Sequence, residues 1–396
     1  MASVNFKSNS TSDRMPDLDG LRAIAILLVL LQHFVSFAIP VQIIRTVTGF
    51  GWIGVDLFFV ISGFLIGGIL LDHREASNYY RIFYLRRFLR IVPLYTVLLA
   101  PALLTVGFGL QSHFSGHGLG AVSGWTMLIF LCFMQNFITP FFTIPGYLGV
   151  TWSLAVEEQF YLLLPPLVRN LKALRLVQIT AAAVMVAPLL RASSFLIFSE
   201  HSKACGVCYA LLPCQWDSLL MGVLSAYALR VPQVREWLVE RIARLRALWL
   251  ALAAGLIGMI LAGLNTYSPL IAIFGYTWIA AFFTSTLLLA RLNRDGWFHQ
   301  WLSFPALKPI ATVSYGLYLL QGPVLAVKVS VLEHYGCPAI GWTAMGASLL
   351  ALAATALAAA MSWRFFESRL IQLGHGYSFQ RPTAKTLDIR VNEVGS

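Results

Sequence analysis

Residues 122–138 read VSGWTMLIFLCFMQNFI, an apolar run about as long as a short membrane span that carries Gln135 and Asn136 and leads into Pro140 and Pro145. It follows the Gly/His/Ser stretch HFSGHGLGAVSG at 113–124. Whether this run crosses a membrane decides the topology, because every later segment inverts if it does. The rest of the sequence establishes that a membrane is the solvent. Of 396 residues, 58% are hydrophobic and 11% charged, with a mean hydropathy of +0.74, whereas a soluble domain carries about 25% charged residues. Ten other apolar stretches approach the ~20 residues needed to span a hydrocarbon core. They lie near 21–39, 51–71, 91–109, 150–168, 176–198, 208–229, 247–264, 270–290, 309–330 and 341–366. The first is longer than the ~7–15 residues of a signal-peptide core, so it reads as a retained span.

The charge arithmetic resolves the ambiguous run. A net charge of +11, from 28 Lys and Arg against 17 Asp and Glu, would suggest nucleic acid in a soluble chain. In a polytopic protein it reports cytoplasmic loops. If 122–138 does not cross, ten spans put residues 1–22, 72–90, 169–175, 230–246, 291–308 and 364–396 on one side, with 24 of the 28 basic residues. If it crosses, the same side keeps only about ten. The expected fold is therefore an all-α polytopic membrane protein of about ten transmembrane helices, with a re-entrant or interfacial element over 110–148 on the outer side. It is expected to sit in the cytoplasmic membrane with both termini in the cytoplasm, surrounded by lipid and with no nucleic-acid partner. Residues 17–372 form the membrane domain. The polar tails 1–16 and 373–396 are too brief to bury a core and read as mostly disordered.

Charge inside a span is costly and marks function by default. Arg22 and His33 lie eleven apart in DLDGLRAIAILLVLLQHF, which returns to nearly the same helix face about 16 Å along the axis. Arg22 serves either as a snorkelling anchor or as a partner of the site. Asp56 in GVDLFFVISGFLI lies at a depth comparable to His33, and an acid beside an imidazole fixes its tautomer and raises its basicity. Alternatively, Asp56 tethers its own helix end. Ser62, Gly63, Gly67 and Gly68 read as small residues for close helix packing. In GVTWSLAVEEQFYLLLPPL, Trp152, Ser153 and the pair Glu157 and Glu158 enter the membrane. Adjacent helical residues point about 100° apart, so only one glutamate can face a shared cavity. On the basic side, Arg86, Arg87 and Arg90 suit either anionic lipid or the phosphates of a cytosolic cofactor, which guanidinium forks grip bidentately. Tyr315 and Gln321 in SYGLYLLQGPV either line a cavity or join helices, and Arg364 with Glu367 reads as a structural ion pair. His113 and His117 read as an exposed polar lid or as part of acceptor binding. Cys205, Cys208 and Cys214 make no metal pattern, and no metal is expected; they are either buried thiols or include a disulfide. Intramembrane His, Asp and Glu also build proton relays, so a proton-coupled transporter is the rival reading, weakened by the lack of a convincing inverted repeat.

Taken together, Arg22 to His33, GVDLFFVISGFLI, RRFLRIVPLY, TWSLAVEEQFYLLLP and SYGLYLLQ resemble, in order and spacing over roughly residues 17–370, the integral-membrane acyltransferase 3 family. The resemblance implies transfer of an acetyl or other short acyl group from cytosolic acyl-CoA to a hydroxyl of a polysaccharide, exopolysaccharide, lipid-linked sugar or similar glycoconjugate. It implies that His33 is the essential histidine and Arg22 its companion, with Asp56, Glu157 and Glu158 as further catalytic positions. Arg22, Arg86, Arg87 and Arg90 are then expected to meet the acyl-CoA, and Trp152, Ser153, Tyr315 and Gln321 to meet substrate. His33 acts either as general base or as an acylated intermediate. The late family motif usually ends in histidine where this chain has Gln321, so a second titrating imidazole is not expected there. The family's frequent extracytoplasmic hydrolase-like domain has no counterpart up to Ser396, which places the expected acceptor at the membrane domain itself.

Overall fold

The computed structural model describes residues 15–107, 123–142 and 144–380; His113 and His117 lie outside them. Among the described residues, ten long helices organise the fold: α1 Pro16–Leu30, α2 Ile53–Asp72, α3 Tyr79–Gly107, α4 Thr151–Asn170, α5 Ala173–Ile197, α6 Leu212–Ala228, α7 Ile242–Leu261, α8 Tyr276–Leu292, α9 Ser314–His334 and α10 Trp342–Ser362. Among the described residues, nine helical segments are long and apolar enough to cross a membrane. The tenth, α4, matches them in length at 20 residues, but Glu157, Glu158, Gln159, Pro165 and Pro166 make it too polar for that set. This is an all-α polytopic membrane protein.

The run that decided the topology does not cross as one helix. It breaks into Gly124–Leu131 and Gln135–Ile138, with Phe133 between them at φ 55°. Eight residues rise about 12 Å, far less than a hydrocarbon core of ~30 Å. Its two amides explain the break. Gln135 Nε2 donates to the Thr151 carbonyl at 2.8 Å, and Asn136 exchanges hydrogen bonds with the Gln159 amide at 2.8 and 3.2 Å. The polar residues that argue against a lipid-facing span thus brace the start of α4.

The segments expected to share the basic side meet at one end of the bundle. Asp17 at the start of α1 accepts from Arg291 at the end of α8 at 3.1 Å. Asp72 at the end of α2 pairs with Arg230 beyond α6 at 2.7 Å. Arg74 donates to the Arg169 carbonyl at the end of α4 at 3.2 Å. At the opposite end, the Gly341 amide before α10 donates to the Ala38 carbonyl after α1 at 2.9 Å.

Helix α2 is the hub. It packs on α6 with backbones nearly touching: a Cβ on Gly63 would lie 1.8 Å from the Leu219 carbonyl oxygen, and one on Gly222 would lie 2.2 Å from that of Val60. Only small residues allow this approach. Helix α5 joins the pair through an internal ion pair. Arg191 of α5, fully buried, donates to Asp217 of α6 from both terminal nitrogens at 3.0 Å and to the Ile273 carbonyl, also at 3.0 Å. Thr277 of α8 donates to the same Asp217 oxygen at 2.6 Å. Each charge is thereby compensated in a medium where isolation would be prohibitive. Cys205, Cys208 and Cys214 in this region are buried free thiols.

Two departures from regular α geometry matter for the site. Helix α1 widens into a π-helical stretch at Leu31–Ser36, which contains His33. After α10 and another π-helical stretch at Trp363–Glu367, the short helix Ser368–His375 turns back onto α3. The chain stays packed through Gln380, eight residues into the stretch expected as a disordered tail.

Candidate active site

A cavity of about 300 Å³ runs along α2 from Val55 to Ile69, about 21 Å of helix by rise. Its wall comes from six helices because each contributes one face. Helix α2 supplies Val55, Phe58, Phe59, Ser62, Leu65, Ile66 and Ile69, which recur at three- and four-residue spacing. Helix α3 supplies Arg87 and Arg90, three apart on one face, and α1 supplies Arg22. Helix α4 adds Ser153, Glu157 and Tyr161, and α9 adds Ser314, Tyr315 and Tyr318; the helix after α10 adds His375. Three guanidiniums against one carboxylate leave the wall with a net positive charge.

The polar groups of the wall hold one another. Tyr161 and Ser62 hydroxyls bond each other, and the Arg87 guanidinium lies 5.8 Å from the Tyr161 ring centre. Arg87 Nε is buried and has no hydrogen-bond partner. Tyr315 donates to the Ile91 carbonyl at 2.8 Å, while Tyr318 and Ser153 share a 2.6 Å bond and both reach the Val150 carbonyl. A buried, positively charged pocket with an unpaired guanidinium N–H is built to receive an anion.

The expected site residues divide into two groups. Arg22, Arg87, Arg90, Ser153, Glu157 and Tyr315 meet on the cavity wall. Its described lining does not include His33, Asp56, Arg86, Trp152, Glu158 or Gln321. Half-buried His33 bonds the Val29 carbonyl on its own helix through Nδ1 at 2.9 Å. A carbonyl only accepts, so the proton sits on Nδ1 and the Nε2 lone pair is free. Asp56 does not orient this ring; its carboxylate instead accepts from Ser218 at 3.1 Å. The level of His33 follows from helix packing. Val29 meets Gly54, where a Cβ would lie 3.0 Å from Val29 Cγ2, so His33 stands about one turn, or about 6 Å, beyond the Val55 end of the cavity.

The other residues have structural contacts. Arg86 donates to the Tyr377 carbonyl at 3.0 Å and covers the Phe379 ring, which separates it from Arg87 and Arg90. Trp152 packs on Tyr209 at 4.3 Å and edge-on to Phe59. Buried Gln321 donates to the Tyr318 carbonyl at 3.1 Å, and its Oε1 has no partner. Glu158 also has a buried oxygen without a partner. Tyr161 was legible as one turn beyond Glu157. His375 gave no such signal, because it sits in a polar tail. Arg191 and Asp217 did leave one: opposite charges, each in the midst of an otherwise apolar segment.

With this arrangement of arginines, carboxylate and hydroxyls in view, residues 15–364 match the family described as the acyltransferase domain. The chain belongs to the acyltransferase 3 family. It is 28% identical over 375 residues to a peptidoglycan O-acetyltransferase of Listeria monocytogenes, covering 91% of this chain and 56% of the relative. It is 28% identical over 367 residues to a putative peptidoglycan O-acetyltransferase of Bacillus subtilis, covering 89% and 54%. A putative O-acetyltransferase of Staphylococcus aureus is 27% identical over 375 residues, covering 89% and 57%. The chain thus spans little more than half the length of these relatives. No solved structure matches it. The acyltransferase match takes in all ten long helices and stops at Arg364, so His375 and the packed segment through Gln380 lie beyond it.

Proposed function

We propose that this membrane acyltransferase is an O-acetyltransferase, moving an acetyl or short acyl group from acyl-CoA to a carbohydrate hydroxyl, with a peptidoglycan-like glycan as the acceptor class suggested by its relatives' names. The observation that carries the reading is the cluster Arg22, Arg87 and Arg90 on one cavity wall, with Arg87 Nε unpaired. Guanidinium forks match phosphate oxygens; among the described lining residues Glu157 is the one carboxylate, and Arg22 also pairs with Asp19 at 3.4 Å. The phosphates of the donor seat there, and the pantetheine arm follows the apolar stripe Phe58, Phe59, Leu65 and Ile66. The thioester then points to the outer end of the cavity, toward His33.

His33 Nε2 takes the proton of the acceptor hydroxyl as its oxygen attacks the thioester carbonyl carbon. The carbon–sulfur bond breaks, CoA leaves as thiolate, and the proton passes from the imidazolium to that sulfur. The Nδ1 bond to Val29 fixes the tautomer this step requires. By the positive-inside bias the arginine-rich end of the bundle is read as the cytoplasmic one, with the arginine wall on the donor's side and both termini on that side.

The test is incubation of purified protein in lipid nanodiscs with acetyl-labelled acetyl-CoA and soluble glycan strands. Alkali-labile label on carbohydrate with wild type, absent with His33→Ala, is the expected result. Equal transfer by both would remove His33 from the chemistry. Proton-coupled uptake without any transfer would replace the enzyme with the transporter.

A further inference from the structure

The mouth of the cavity at the arginine-rich end carries a residue that none of the ten long helices provides, His375. Its position is built. Gly374 is buried against α3, where a Cβ would lie 3.6 Å from Leu89 and 3.8 Å from the Arg86 Cα. The helix Ser368–His375 therefore rests on the turn of α3 that presents Arg87 and Arg90 to the cavity. Beyond it, Arg86 grips the Tyr377 carbonyl, and Phe379 stacks on His73 with ring centres 4.1 Å apart. Asn78 donates to the Ser378 carbonyl at 3.0 Å and accepts from the Gln380 amide at 2.9 Å. These contacts fix the main chain on either side of His375 while the imidazole itself stays exposed. A free tail would have to order its main chain on every binding event, whereas here the main chain that carries the ring is already held.

We propose that His375 binds a phosphate group at the nucleotide end of the acyl-CoA donor, completing at the mouth the anion site that Arg22, Arg87 and Arg90 form inside. The proposal rests on the acyl-CoA reading above. The imidazole donates an N–H to a phosphate oxygen and takes no part in breaking the thioester. It therefore sets donor affinity and discriminates between a full acyl-CoA and a thioester that lacks the nucleotide.

The experiment compares acetyl-CoA with S-acetylpantetheine, which keeps the thioester and loses the phosphates, on wild type, His375→Ala and His375→Gln. Loss of one hydrogen bond to a charged group predicts a KM for acetyl-CoA raised about ten-fold in His375→Ala, with kcat within about two-fold. The KM for S-acetylpantetheine stays unchanged, and His375→Gln, which keeps an N–H donor, recovers part of the loss. An unchanged KM for acetyl-CoA, or an equal rise for both donors, would overturn the assignment. If wild type transfers acetyl from neither donor, the acyl-CoA reading itself fails and the role of His375 falls with it.

Discussion

His33 Nδ1 lies 2.9 Å from the Val29 carbonyl oxygen, one turn back on the same helix. The bond forms where α1 loosens into π geometry, a distortion frequently found at functional sites. It fixes the neutral tautomer with Nε2 unprotonated without recruiting a carboxylate. Replacement by Ala is expected to lower acetyl transfer by about 10²–10⁴-fold, the usual contribution of a general base. Because the ring has one backbone bond and is half-buried, the melting temperature should hardly move. A rate within a few-fold of wild type would show that another group takes the proton.

Glu157 and Glu158 are neighbours with opposite situations. Glu157 faces the cavity beside Tyr161, whereas Glu158 is outside its described lining. Glu157→Gln should therefore alter transfer kinetics, by about ten-fold or more if the charge acts on bound substrate. Glu158→Gln should leave kcat/KM within about two-fold, since Glu158 lies outside the described lining of the cavity. The comparison requires only steady-state rates for two isosteric variants, and the reverse ranking would exchange their roles.

Sequence patterning and structure agree on what depends on summed hydrophobicity. The spans, the basic end and the failure of residues 122–138 to cross all follow from composition over long windows. The rotation of each helix does not. Whether Arg86 or Arg90 faces the cavity depends on where α3 meets its neighbours, and Tyr377, just after the helix Ser368–His375, draws Arg86 away. The same holds for Asp56, which meets Ser218 of α6 because Gly63 and Gly222 bring those two backbones together. The packed stretch through Gln380 was hidden for another reason. It is held by a few specific contacts from Asn78, Arg86 and His73, which leave no periodic apolar signal.

The Arg191 and Asp217 pair should prove structural. Removing one partner leaves a buried charge uncompensated, so Arg191→Met is expected to cost about 3–5 kcal/mol. Removing both, with Arg191→Met and Asp217→Leu together, should recover much of that loss. Thermal unfolding in detergent separates the cases. A double variant no better than the single one would mean that the pair does more than balance its own charges.

The α2 and α6 crossing predicts a sharp contrast between glycines. At Gly63 a methyl group meets the Leu219 carbonyl at 1.8 Å, whereas nothing lies within 4 Å of a Cβ on Gly258. Gly63→Ala should therefore exceed the ~1–3 kcal/mol of ordinary overpacking and reduce the yield of monodisperse protein. Gly258→Ala should be silent. Equal yields would show that the two helices can separate without penalty.

The central claim is that the arginine wall receives the phosphates of acyl-CoA. Its most direct measurement is the equilibrium affinity of the nanodisc-embedded protein for acetyl-CoA, compared between wild type, Arg87→Ala and Arg90→Ala. Charge-assisted hydrogen bonds of about 1.5–3 kcal/mol predict a Kd weaker by about 10- to 150-fold in each variant, with the melting temperature preserved. Acetyl-CoA binding that is unchanged in both variants would contradict the account.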